Sequence, residues 1–296
     1  MDKNEESEVQ GMMPDDVRKA VEAEEARKEA KASGEVAPQN VNDFLKTLVQ
    51  SYEQVQLPSR GLLYGDVLPD GVVNVRPMTM KEEKLLATPR LVRTGKAIDM
   101  IFESCVRENL EASKLLSVDR TFLLIWLRGI SYGNEYDVQI KCPSCGSSFP
   151  ETVDLSELPI NYAPDGIAEP FSDVFPRCGQ KFLYRLSRGE DEAAVNRHRE
   201  RMARSYGDEG IDDTIIVRDR MLVESIAGFS EKADIESILE NLSMEDATYL
   251  RQLFRDTGFG VDTSLPMVCA FCQHDFDVEL PIDANFFFPQ KTKKRA

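Results

Sequence analysis

Four of the six cysteines in this chain fall into two pairs with the same spacing, Cys142-Pro-Ser-Cys145 and Cys269-Ala-Phe-Cys272. Two residues between cysteines make a turn tight enough to aim both sulfurs at one ion, and two such turns complete a tetrahedral shell. Thiolates select a borderline-soft ion such as zinc over magnesium or calcium. Four protein ligands leave no position for a reactive water, so Cys142, Cys145, Cys269 and Cys272 are predicted to form a structural zinc site. The flanks repeat as well. Phe149 and Phe276 stand four positions after the second cysteine of each pair, and each half runs on to Leu-Pro-Ile, at 158–160 and 280–282. The halves read as two facing hairpin knuckles whose phenylalanines cover and dry the site.

Other readings of these thiols stay open. Disulfides belong to oxidising compartments, and a redox Cys-x-x-Cys opens a helix in a βαβ pattern, which neither pair does. An iron–sulfur centre takes the same four ligands, and metal analysis separates it from zinc. His274 sits beside the second knuckle as a spare ligand, with a solvated role favoured. Cys105, among Ile101, Phe102 and Val106, reads as a small core residue, and Cys178 as a loop thiol.

The pairs lie about 120 residues apart, whereas a short zinc ribbon keeps them within about 20. A metal here would staple two distant segments and restrict the unfolded chain strongly. The predicted platform is 135–162 plus 264–290. Tyr136, Val138 and Ile140 alternate into Cys142, and Phe149, Thr152 and Val153 mark a return strand. Between the halves lies a predicted helical insert, 163–263. It begins as a proline-rich loop over 163–176, continues with a strand over 181–186, and is helical over 189–257, with Ser230 and Ser243 as N-caps.

Ahead of the platform, 41–134 reads as a mixed, mainly helical region. A helix is predicted over 41–54, with Phe44, Leu45, Leu48, Val49 and Tyr52 on one side. Then come a turn-rich segment over 57–64, a strand over 72–76 and a capping box at Thr79–Glu82. Helices near 94–109 and 118–130 follow, with Trp126 in the core. Residues 1–40 are polar and acidic, a disordered or conditionally helical tail. The fold class is therefore α+β: a zinc-ribbon-like pair of cysteine knuckles on β-hairpins, with a largely helical insert and a flexible acidic N-terminal tail.

Charge narrows the function. With 52 acidic against 36 basic residues the net charge is -16, which repels nucleic-acid phosphates. The basic cluster Lys291, Lys293, Lys294 and Arg295 reads as a solvated end. No apolar run approaches the roughly 18 residues of a membrane span, and the N-terminus has no apolar secretory segment. No phosphate loop, nucleophile elbow or zinc-protease helix occurs. Only His198 and His274 supply imidazoles, and the Glu190–Glu192 run is a charged helix face. The expectation is a soluble intracellular protein, not an enzyme, that works by binding other proteins. The alternative is a nucleic-acid-binding zinc-ribbon protein related to transcription, which the charge opposes.

Three features in this order resemble a known family. Leu57-Pro-Ser-Arg-Gly-Leu-Leu-Tyr64, then Val75-Arg-Pro-Met-Thr-Met-Lys-Glu-Glu83, then the paired knuckles are similar to the baseplate hub and hub-assembly proteins of T-even-type contractile-tailed bacteriophages. The resemblance covers 50–160 and the second knuckle near 269–286. It implies a non-enzymatic part in building a tail baseplate, as a hub component or an assembly factor. Its partners would be other baseplate or tail hub proteins. Its location would be the host bacterial cytoplasm during assembly or the virion tail baseplate. The acidic tail and the long insert have no counterpart in that resemblance.

Overall fold

Short stretches of alternating apolar and polar residues set the strands of this protein, and 3.6-residue periodicity sets the helices packed on them. The structure is a computed structural model that describes residues 41, 48, 51–206, 213–282 and 284–287. The chain divides after Ser51 into two units, of which the larger begins at Tyr52 and carries every element described below. The predicted acidic tail and most of the predicted 41–54 helix lie outside the described residues. The end of that helix is corrected: Glu53–Gln56 is a strand, β1, paired antiparallel with β2 (Val72–Val75). Val55, Val73 and Val75 face the core from this hairpin, and β-branched residues suit a pleated surface better than a helix.

The Leu57–Tyr64 segment between these strands is a packed loop. Gly61 and Gly71 adopt left-handed backbone (φ 76° and 61°), and a Cβ on Gly61 would stand 2.0 Å from the Leu68 carbonyl oxygen. Only glycine lets the two backbone turns meet. Asp119 accepts the Ser59 amide at 3.0 Å and the Tyr64 hydroxyl at 2.6 Å, and that hydroxyl accepts the Leu116 amide at 2.8 Å. Burial raises the Asp119 carboxyl and pushes the Tyr64 phenol well above its usual range.

The capping box is present as predicted. Thr79 caps α1 (Met80–Leu86), and Glu82 reaches back to the Thr79 amide at 2.7 Å. Glu82 also meets Arg76 at 2.9 Å and accepts from Ser104 at 2.6 Å. Burial alone would raise its carboxyl, but the Arg76 guanidinium and the Ser104 and Thr79 donors hold it down at about 2. Its folded value lies below the unfolded one, so its contribution is complete above the ordinary carboxylate range and is lost as the pH falls towards 2. Glu82→Gln is expected to cost about 3 kcal/mol at neutral pH and much less at about pH 2.5. Urea unfolding at the two pH values checks this, and an equal cost at both would mean that the charge contributes nothing.

Two short helices, α2 (Pro89–Arg93) and α3 (Lys96–Cys105), precede α4 (Ser117–Tyr132). Phe102 of α3 and Phe122, Leu123 and Leu127 of α4 are buried against the β1–β2 hairpin. Trp126 is half-buried against the same cluster, beside Phe122. From α4 the chain enters β3 (Glu135–Lys141) and β4 (Ser148–Asp154), an antiparallel hairpin. The short strand β5 (Ile160–Asn161) pairs with β9 (Gly260–Val261), closing the neck of the region between them.

That intervening region holds more strand than predicted. β6 (Phe171–Val174), β7 (Lys181–Tyr184) and β8 (Val223–Ile226) form a three-stranded antiparallel sheet. β6 falls inside the segment read as a loop, and β8 inside the 189–257 stretch read as helical. Val223 and Ile226 also fit helical spacing, so local pattern could not separate the two states. Pairing with Tyr184 and Phe182 of β7 decides for strand. The helices are α5 (Gly189–Tyr206), α6 (Thr214–Leu222), α7 (Lys232–Glu240) and α8 (Met244–Arg255). Ser243 caps α8 by accepting the Asp246 amide at 3.1 Å. The cap of α7 is Glu231 rather than Ser230. After β9 the chain forms β10 (Ser264–Val268) and β11 (Asp275–Glu279), a second hairpin. The fold class is α+β, with small antiparallel sheets and helices. Among the described residues no helix is long and apolar enough to cross a membrane.

Candidate metal centre

Each cysteine pair occupies the turn of one hairpin, and the two turns are built alike position for position. In the first, Lys141 pairs with Ser148 across the strands, the Cys142 amide donates to the Ser147 carbonyl at 2.9 Å, and the Gly146 amide to the Cys142 carbonyl at 3.0 Å. In the second, Val268 pairs with Asp275, the Cys269 amide donates to the His274 carbonyl at 3.0 Å, and the Gln273 amide to the Cys269 carbonyl at 3.0 Å. The residue after the second cysteine takes left-handed backbone in both, Gly146 at φ 72° and Gln273 at φ 58°. Glycine adopts this freely. Glutamine does so at a cost of about 1–2 kcal/mol, met by the turn's hydrogen bonds and by the long-range packing around it.

The hairpins bring all four sulfurs together. Every pair of Sγ atoms in the set Cys142, Cys145, Cys269 and Cys272 lies within 4.8 Å. Cys142 approaches Cys272, and Cys145 approaches Cys269, each at 3.7 Å. A tetrahedron with ligands about 2.3 Å from its centre has edges of about 3.8 Å, so these sulfurs already stand at ligand spacing. Cys142 and Cys269 are buried, at 1% and 0% exposure, whereas Cys145 and Cys272 are exposed. Each hairpin thus supplies one inner and one outer sulfur.

Amide donors turn toward these sulfurs. The Phe271 amide donates to Cys269 Sγ at 3.4 Å, and the Cys272 and Phe271 amides lower the Cys269 thiol. The Ser147 hydroxyl and amide lower Cys145 to about 6. Cys272 behaves oppositely. A backbone contact at His274 lowers it, but partial desolvation of the sulfur and the neighbouring Cys145, Cys269 and Cys142 sulfurs outweigh that and push it up to about 12. Sulfurs this close resist losing the last proton, and a bound cation removes that resistance. The four cysteines could hold a metal ion. His274 is exposed, with its ring stacked 6.2 Å from Phe276, and its imidazole is outside the four-sulfur set.

The hairpins are seated by an apolar layer and a few polar ties. Ile140, Phe149, Val153, Leu280 and Phe286 are buried around the inner sulfurs, with Leu265, Met267 and Phe276 packed against them. Arg128 on α4 is only 2% exposed. It donates to the carbonyls of Phe286 at 2.8 Å, Gly133 at 2.6 Å and Glu135 at 3.2 Å. The Tyr136 hydroxyl donates to the Pro281 carbonyl at 2.9 Å. Sequence reasoning missed this clamp. The signal was an arginine inside the apolar 122–130 run, where a buried charge needs polar partners.

The remaining cysteines lie apart. Cys105 is fully buried and its thiol is pushed up to about 12 by that burial. Cys178 is exposed. His198 pairs with Asp213 at 2.6 Å, between α5 and the start of α6.

A family model described as T4 bacteriophage base plate protein matches residues 64–288, a span that contains both cysteine pairs. No curated protein and no solved structure matches the chain.

Proposed function

The chain belongs to the T4 bacteriophage base plate protein family, and from that membership we propose that it is a non-enzymatic structural or assembly component of a phage tail baseplate hub, acting through protein–protein contacts. The family match supports a place among other baseplate proteins and in the virion tail baseplate. The four-sulfur cluster supports a structural zinc ion held by Cys142, Cys145, Cys269 and Cys272 in a zinc-ribbon-like arrangement. The single observation that carries this part is the 3.7 Å approach of sulfurs from opposite hairpins. Four thiolates fill a tetrahedral shell, so a zinc ion here supplies cross-linking and no open coordination position. The host cytoplasm is where such a site would load, because the thiols must be reduced.

The outward strand residues Asp137, Asp275, Asp277 and Glu279 are carboxylates exposed to solvent, which weighs against nucleic acid as the partner. Two measurements test the proposal. Metal analysis of the purified chain is expected to give one zinc per chain, and iron instead would replace the zinc assignment. Mass spectrometry of purified phage particles and of tail-assembly intermediates is expected to find the chain in at least one of them. Presence in finished particles makes it a component, presence in intermediates alone makes it an assembly factor, and absence from both overturns the proposal.

A further inference from the structure

The two knuckles provide an internal comparison, because their turns match position for position. The residue before the second cysteine is Ser144 in the first knuckle and Phe271 in the second, and both are exposed. The residue before the first cysteine is Lys141 in the first and Val268 in the second. Phe271 is 67% exposed and Val268 55% exposed. The first knuckle closes the same turn with serine and lysine, so the fold does not call for a phenylalanine or a valine at these places. The backbone that carries the phenylalanine is tied to the turn: its amide donates to Cys269 Sγ, a candidate ligand. A turn that is already ordered spares the backbone part of the ordering cost when its apolar side chain enters a pocket.

Charge divides the two hairpins in the same way. Opposite Ser264, Pro266 and Val268, the outward face of β11 carries Asp275, Asp277 and Glu279. The matching outward positions of the first hairpin are Asp137, Gln139, Lys141, Ser148, Pro150 and Thr152, in which one acid and one base balance. Glu279 accepts the Thr263 hydroxyl at 2.7 Å. Among the described residues no cation forms an ion pair with Asp275 or Asp277. The second knuckle therefore joins a projecting apolar tip to an acidic face that has no basic partner at Asp275 or Asp277 among the described residues.

We infer that the second knuckle is the chain's docking tip: Phe271 and Val268 enter an apolar pocket on another baseplate protein whose rim carries lysine or arginine facing Asp275 and Asp277. The inference rests on the baseplate reading above. It makes the metal centre a support that holds an interaction residue in place, and it assigns the first knuckle no part in that contact.

The test uses the full chain, produced in infected cells as wild type, Phe271→Ser, Asp277→Lys or Ser144→Phe. Baseplates and their intermediates are isolated, and the chain in them is quantified by mass spectrometry. Phe271→Ser copies the residue of the first knuckle, so metal content and thermal midpoint are expected to match the wild type. Its recovery in baseplates and intermediates is expected to fall at least tenfold, with a fall of the same order for Asp277→Lys and no change for Ser144→Phe. Equal recovery of Phe271→Ser and wild type overturns the inference and leaves the baseplate reading intact. Absence of the wild-type chain from both fractions overturns the baseplate reading, and the inference with it. Sedimentation of the purified proteins covers the remaining occupant: a wild-type dimer that Phe271→Ser converts to monomer would assign the tip to a second copy, against the inference.

Discussion

Cys145→Ser is expected to destabilise the protein as severely as Cys142→Ser, although Cys145 is exposed and Cys142 is buried. Burial alone predicts the opposite ranking, because replacing an exposed thiol by a hydroxyl of similar size usually changes stability by about 0.5 kcal/mol or less. A tetrahedral site removes that distinction, since each thiolate is one of four ligands and the loss of any one opens the shell. Structural zinc sites contribute on the order of 10 kcal/mol to folding, so losing a ligand is expected to cost at least about 4 kcal/mol. For a chain of 296 residues that corresponds to a fall in Tm of at least about 6 °C. Cys178→Ser supplies the comparison, being an exposed thiol outside the cluster, and is expected to leave Tm unchanged. Scanning calorimetry with metal analysis on the three variants checks the prediction. A strong chelator should bring the wild type down to the midpoint of Cys145→Ser. If Cys145→Ser instead behaves like Cys178→Ser, the cluster holds no stabilising metal.

Arg128→Met is expected to cost about 4 kcal/mol while leaving the metal content of the purified chain unchanged. Methionine keeps much of the volume and removes every donor. The guanidinium serves three carbonyls from two parts of the chain: Phe286 after β11, and Gly133 and Glu135 at the junction of α4 and β3. A buried acceptor left without a donor costs about 1–3 kcal/mol. Among the described residues no carboxylate forms an ion pair with Arg128. The loss is therefore one of hydrogen bonds and of packing over the Tyr132 and Tyr136 rings, at 5.4 and 5.9 Å. Burial lowers the Arg128 guanidinium from its usual value, and arginine remains charged through any such shift at neutral pH. Hydrogen exchange locates the effect: amides at 284–287 and 133–136 should lose protection, and those of the two knuckle turns should keep it. A loss below about 1 kcal/mol would mean that water replaces the guanidinium at all three carbonyls.

The parts legible in the sequence share a short physical range. The turn of a Cys-x-x-Cys pair, the capping box at Thr79–Glu82 and the Tyr136–Val138–Ile140 alternation each depend on residues within a few positions of one another, and each is present. The two helix-to-strand corrections, at 53–56 and 223–226, fall where apolar spacing suits either state and a distant strand decides. The same holds for Asp119 and Tyr64. Nothing local to either marks them as partners, because 55 residues separate them and only the fold of the Leu57–Tyr64 loop brings them together.

The cysteine set divides along the same line. Residue type and spacing determined by themselves that four thiols, in two like turns, were suited to one soft ion. Tertiary structure alone decided that sulfurs of opposite hairpins approach to 3.7 Å, Cys142 with Cys272 and Cys145 with Cys269, that one sulfur of each pair is buried, and that an arginine on α4 seats the platform. The reason is range. A turn is closed by hydrogen bonds a few residues long, whereas these contacts join positions 124, 130 and 158 residues apart, and they exist only once both hairpins pack on the same apolar layer.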